Sequence, residues 1–281
     1  MNKLQISSVS FEMLLENKEI EVSGSNSILG FSTEGGGGWK IWNRYLTVDG
    51  KNAYHIGNIC NTCSFFFERL DGANQSLGSK VIATTLSDGV TSLDEHVVSE
   101  LSKIVPNEKY EVLLLLVNPQ IVQLGGEGDY FSHEQISLWG IDGFWGLPHS
   151  PKIQYYRLPD TKISPNERLF QFIVPMFPHS WLDESQIAKY AALIQKGSEP
   201  TAIAISVLDI KSPTDWKEGA EIISHWCLTH YLLDGHHKSF AAAECRAPIT
   251  LISFLAVSRG ISAQEEIDRL VSVLSEANHS L

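Results

Sequence analysis

The chain has 281 residues, 43% of them apolar and 19% charged, with 33 acidic against 21 basic side chains and a formal net charge of −12. The apolar content excludes wholesale disorder, and the length allows one large or two modest domains. The negative balance, with no Lys/Arg run, argues against nucleic acid and anionic membrane as partners, because attraction to phosphate dominates binding to both.

Met1 to Glu19 carry no apolar segment behind basic residues, so no secretory signal is expected, and no stretch approaches the ~20 apolar residues of a membrane span. A cytoplasmic setting follows as the expectation. Residues 1–80 read as short strands and loops, with aromatic clusters at Trp39–Tyr45 and Phe65–Phe67 and a hairpin loop at Gly35–Gly38. Ser92-Leu93-Asp94-Glu95 is a capping box, and Val97, Val98, Leu101 and Ile104 follow at helical spacing. Glu111 to Val117 is a strand whose apolar run implies burial on both faces. Residues 125–160 are turn-rich, and Trp139, Phe144, Trp145, Tyr155 and Tyr156 read as the core of an irregular region.

A boundary is placed near Asp160, giving domains 1–160 and 161–281. Beyond it Leu169 to Val174 is a strand, and Asp183-Glu184-Ser185-Gln186 caps a helix bearing Ile187, Tyr190, Ala191 and Ile194. Strands at Ala202–Leu208, Thr229–Leu233 and Ile249–Val257 follow, with a helix at His236–Cys245 and a last helix capped by Ser262-Ala263-Gln264-Glu265. Strands alternating with helices give an α+β (mixed α/β) architecture, β-rich and irregular in the N-terminal half.

Four cysteines are too few for a disulfide scaffold. His55, Cys60 and Cys63 form His-x4-Cys-x-x-Cys, and two thiolates at that spacing with a nearby imidazole suit zinc. A fourth ligand must come from elsewhere, with Cys227, Cys245, His133 and His149 as candidates. Two other readings stay open. One is a redox pair, which needs a helix after the first cysteine and finds a candidate in Ser64–Leu70; the other is two buried reduced thiols packed among the phenylalanines. Asn74-Gln75-Ser76 and Asn278-His279-Ser280 match glycosylation sequons, which carry no meaning in the cytoplasm.

The segment Asp234-Gly235-His236-His237-Lys238 runs from an apolar strand through a glycine into a helix. The glycine permits a sharp turn, the helix start presents unpaired N–H groups, and His237 and Lys238 add donors, a combination that favours phosphate or carboxylate. Asp234 is placed to hold a metal ion or cap the helix; with His236 and His237 it is an alternative metal set.

These five residues resemble the Asp-Gly-x-His-Arg signature of the ParB/sulfiredoxin-like fold. The helix at Ile187–Ile194, the Gly197–Pro200 turn and the strands on either side of the signature agree with it. The resemblance spans about residues 165–258. It implies that Gly235, His236, His237 and Lys238 contact nucleotide phosphates. His236 stands where sulfiredoxins place their cysteine, so sulfinate reduction is not implied, and Lys238 replaces the arginine and loses its bidentate fork. Only residues 261 to 281 follow, too few for the helix-turn-helix domain of partition proteins. Free-serine kinases of this fold imply a carboxylate base, for which Glu184 is the counterpart.

The expected function is therefore a cytoplasmic nucleotide- and phosphate-binding protein, with ATP-dependent, Mg²⁺-assisted phosphoryl transfer to a small hydroxylated molecule as the implied activity. Gly235 to Lys238 would hold the phosphates, and Asp234 or Glu184 would position Mg²⁺ or act as base. The competing reading is a non-enzymatic, zinc-stabilised ligand-sensing or protein-interaction protein.

Overall fold

A computed structural model describes residues 12–75, 86, 89–141, 151–215 and 219–277. Phe144, Trp145, His149, Ser76 and Asn278-His279-Ser280, all part of the readings above, lie outside the described residues. The chain is mixed α+β. Its larger sheet takes β1 (Glu12–Val22), β6 (Glu108–Val117), β7 (Gln120–Ile121), β8 (Tyr156–Arg157), β9 (Thr161–Ser164), β10 (Glu167–Val174), β11 (Thr201–Lys211), β12 (Ser224–Asp234) and β13 (Ile249–Ala256). They lie in the order β1-β6-β13-β11-β12-β10-β8-β7, with β9 also on β10. The pairs β10–β12 and β11–β13 are parallel and the other pairs antiparallel. A smaller antiparallel sheet holds β2 (Leu29–Gly36), β3 (Trp39–Val48), β4 (Lys51–Asn58) and β5 (Glu68–Arg69).

The larger sheet crosses the boundary expected near residue 160, because β6 pairs with β13 and β8 with β10 of the second half, and β1 and β7 join the sheet through β6 and β8. It also curls. Asn118 and Pro119 alone join β6 to β7, a reach of about 11 Å at most, yet six pairing steps would hold those strands about 29 Å apart in a flat sheet. Gln171 Nε2 on β10 donates to Glu12 Oε2 on β1, so the face carrying both is the concave one.

Leu113, Leu228, Leu251 and Leu255 line that concave face and pack on three helices: α3 (Glu184–Gln195), α4 (His236–Cys245) and α5 (Gln264–Ala277). The convex face carries Val112, Leu114, Phe172, Ile205 and Tyr231. It packs on Val48, Tyr54 and Ile56 of the smaller sheet and on Val98 and Leu101 of α1 (Glu95–Ser102). Between the layers lies an aromatic cluster in which Phe67 meets the Phe131 ring edge-on at 5.0 Å and Tyr155 at 5.6 Å.

Asp183 caps α3 as the spacing predicts, its carboxylate accepting from Ser185 N–H at 2.7 Å and Gln186 N–H at 3.1 Å. Two other caps differ from expectation. The cap of α1 is Asp94, which accepts from Val97 N–H, while Leu93 N–H is taken by Glu16 on β1; the helix therefore begins later than a cap at Ser92 implies. At α5 the Glu266 carboxylate reaches back to Ala263 N–H, one residue past Ser262. The Gly35–Gly38 loop is a hairpin turn, with Gly37 and Gly38 at φ 56° and 93° between β2 and β3.

Candidate functional site

The bend after β12 is built as the sequence reading expects: a strand ending at Asp234, a left-handed Gly235 and α4 from His236. Gly235 stands at φ 99°, and a Cβ there would sit 2.6 Å from Ala202 Cβ at the start of β11. Close strand packing thus accounts for the glycine without any ligand. Its neighbours are likewise engaged by the chain. His236 Nε2 accepts from Met176 N–H at 3.0 Å, its ring stacks on Phe177 at 4.0 Å, and burial lowers the imidazole to about 3. His237 Nε2 accepts from Asp183 N–H at 3.0 Å.

Lys238 is 3% exposed. Its Nζ donates to Thr201 O at 2.8 Å, to Leu86 O at 3.4 Å and to Asp234 Oδ2 at 3.3 Å. Desolvation lowers this ammonium, with Asp234 opposing. The side chain expected to reach a phosphate is instead turned inward, fastening the start of α4 to β11. Glu184 is exposed in the first turn of α3, beside the Asp183 that binds His237, so it shares this corner.

The second place where the sequence concentrates chemistry is the loop after β4. Cys60 and Cys63 are joined as a disulfide, not held apart around a metal ion. His55, expected as a third ligand, lies between rings, 4.7 Å from Tyr45 and 4.4 Å from Phe66, and burial lowers it to about 4. Among the described residues no group of three or more His, Cys, Asp or Glu side chains is arranged to hold a metal ion. Ser64–Phe67 is neither helix nor strand, so no helix start follows Cys60.

Main-chain anchors hold this loop on all sides. Cys60 N–H donates to Asn58 Oδ1 at 3.1 Å and Cys63 N–H points at Cys60 Sγ at 3.1 Å. The Thr62 hydroxyl lies 3.5 Å from the same sulfur. Trp139 Nε1, on α2 (Glu134–Trp139), donates to Thr62 O at 2.9 Å, and Ser212 N–H, just past β11, donates to Asn61 O at 3.0 Å. Both cysteines are half-buried.

Beneath the loop lies a charged layer that the sequence reading missed. Arg44 on β3 forks onto Asp209 on β11, and Lys211, 1% exposed, donates to Asn58 Oδ1 at 3.4 Å with its ammonium 5.1 Å from the Phe65 ring centre. Burial lowers Lys211 to about 8, with Asp209 opposing. A cavity of about 10 Å³ beside Phe65, Asp209, Cys227 and Tyr231 has room for one water and for no organic ligand. The available signal was Asp209-Ile210-Lys211 continuing an apolar strand, two charges spaced to share one face of it.

No protein-family model, no curated protein and no solved structure matches the chain.

Proposed function

We propose that the chain is a thiol–disulfide redox protein whose reactive centre is the Cys60–Cys63 pair. The observation that carries this reading is that, in place of the helix start that Cys60 lacks, Cys63 N–H and the Thr62 hydroxyl both face Cys60 Sγ in a half-buried Cys-x-x-Cys disulfide. Donors aimed at one sulfur stabilise its thiolate, so Cys60 is the attacking residue and Cys63 the resolving one. In the reduced protein Cys60 thiolate attacks a partner disulfide and expels one partner thiolate, which takes up a proton. Cys63 then loses its proton, attacks Cys60 in the mixed disulfide and expels the second thiol. Two electrons pass to the partner and the Cys60–Cys63 bond forms. We place the protein in the cytoplasm, where a disulfide is typically transient and catalytic.

The test is equilibration of the purified chain in graded dithiothreitol redox buffers, with thiols counted by alkylation and mass. A reversible two-electron transition, and a mixed disulfide trapped at Cys60 in Cys63→Ser, are expected. A pair that stays reduced in oxidising buffer, or that retains one zinc per chain, sinks the reading.

A second reading keeps the bend as a nucleotide- or phosphate-binding corner, with Asp234 holding Mg²⁺ and a ParB/sulfiredoxin-like kinship for the second half. What favours it is placement: β10 and β12 are parallel neighbours whose carboxyl ends both run into this corner, where open α/β sheets bind ligands, and the Asp234 side chain is 41% exposed there. Thermal shifts with ATP, ADP and CTP, with and without Mg²⁺, test it; shifts that survive in Asp234→Asn exclude this corner.

A further inference from the structure

We propose that Lys211 is a positioning residue for the Cys60–Cys63 couple, its buried ammonium supplying an uncompensated positive charge beneath the loop that favours the reduced pair and makes the disulfide more oxidising. This inference rests on the redox reading above.

The charge count carries it. Arg44 and Asp209 satisfy each other through two bonds, Nη1–Oδ1 at 2.9 Å and Nη2–Oδ2 at 2.6 Å. Lys211 has no ion pair among the described residues, and Asp209, the carboxylate nearest along its strand, is already committed to Arg44. Asp209 and Arg44 are the charges that act on Lys211, and burial keeps the nearby Cys227 thiol protonated and neutral, so two cations share one anion in this buried layer. A buried charge of this kind is costly unless something balances it. Asn58 Oδ1 accepts from Lys211 Nζ at 3.4 Å and from Cys60 N–H at 3.1 Å.

One carboxamide oxygen therefore couples the ammonium to the backbone of the attacking cysteine. A thiolate formed at Cys60 on reduction is an anion on the residue whose N–H shares Asn58 Oδ1 with this ammonium, and a medium of low dielectric transmits their attraction better than water. Stabilising the reduced form raises the reduction potential. The Lys211 ammonium, lowered by desolvation only to about 8, keeps its charge at neutral pH.

The test compares wild type, Lys211→Met, Lys211→Arg and Asn58→Asp in the redox buffers above, with folding checked by circular dichroism. Lys211→Met replaces a buried charge by an apolar side chain of similar length and is expected to fold. Its equilibrium constant for reduction should fall about tenfold, equal to about 30 mV for a two-electron couple. Lys211→Arg should stay within about threefold of wild type, and Asn58→Asp, which supplies the missing anion, should move in the same direction as Lys211→Met. A folded Lys211→Met with an unchanged constant overturns the proposal; if that variant does not fold, an unchanged constant in Asn58→Asp does. The same titration separates the two ideas: a wild-type pair that does not cycle sinks the proposed function and this inference with it, whereas reversible cycling with a constant that Lys211→Met leaves unchanged sinks this inference alone.

Discussion

Arg44 and Asp209 meet as a fork between the two sheets, each 7% exposed, and the fork gathers four segments. Arg44 also donates to Arg259 O at 2.7 Å and to Asn58 O at 3.0 Å, while Asp209 Oδ1 accepts from Ile261 N–H at 2.9 Å. Removing one partner strands the other charge in the interior. Arg44→Met and Asp209→Asn should each cost about 3–5 kcal/mol in urea unfolding. The double variant should lose less than the sum of the two, since no lone charge of the pair remains.

At the bend, Gly235→Ala should destabilise by about 2–4 kcal/mol, combining left-handed strain with a steric clash. The new Cβ meets Ala202 Cβ at 2.6 Å, so adding Ala202→Gly should recover part of the loss in thermal unfolding. Full stability in Gly235→Ala alone would contradict the packing account of this glycine.

Stability should peak near pH 6.5. Burial lowers His225, His230 and His236 to about 3, so the stability tied to their neutral forms is present above 6.5 and lost as pH falls toward 3. Burial raises Glu12 to about 8, with its Gln171 bond opposing, so its contribution is complete below 4.5 and lost as pH rises through 8. Each group contributes a slope of at most about 1.4 kcal/mol per pH unit. Unfolding in urea at pH 5, 6.5 and 8 should show the maximum at the middle value, and Glu12→Gln should flatten the decline toward pH 8.

Trp139→Phe keeps a ring against Phe65 and His225 but removes the donor to Thr62 O. A cost of about 1 kcal/mol is expected. Dithiothreitol should reduce the freed loop several-fold faster, read by the rate of thiol appearance; an unchanged rate would show that the indole does not restrain it.

The local grammar of this chain was legible in one dimension. The helix His236–Cys245, the Asp183 cap and the strands read at Glu111–Val117, Ala202–Leu208 and Ile249–Val257 follow from apolar runs, capping residues and glycine placement, because these act over a few residues; the strands observed run Glu108–Val117, Thr201–Lys211 and Ile249–Ala256. The candidate-site residues were legible only as types. His236, His237 and Lys238 carry donors and acceptors that suit a phosphate equally well as the main-chain atoms at Met176, Asp183 and Thr201 that engage them.

What the sequence alone determined is the set of elements and their chemistry: an α+β chain, an apolar β core and one Cys-x-x-Cys loop. Only the tertiary structure decided that Glu12 meets Gln171 across a curled sheet, that Arg44 meets Asp209, and that Lys211 lies under Asn58. The first two contacts join residues 159 and 165 positions apart and the third joins residues 153 apart. Strand order and curvature set such distances, and periodicity within any one segment carries no information about them.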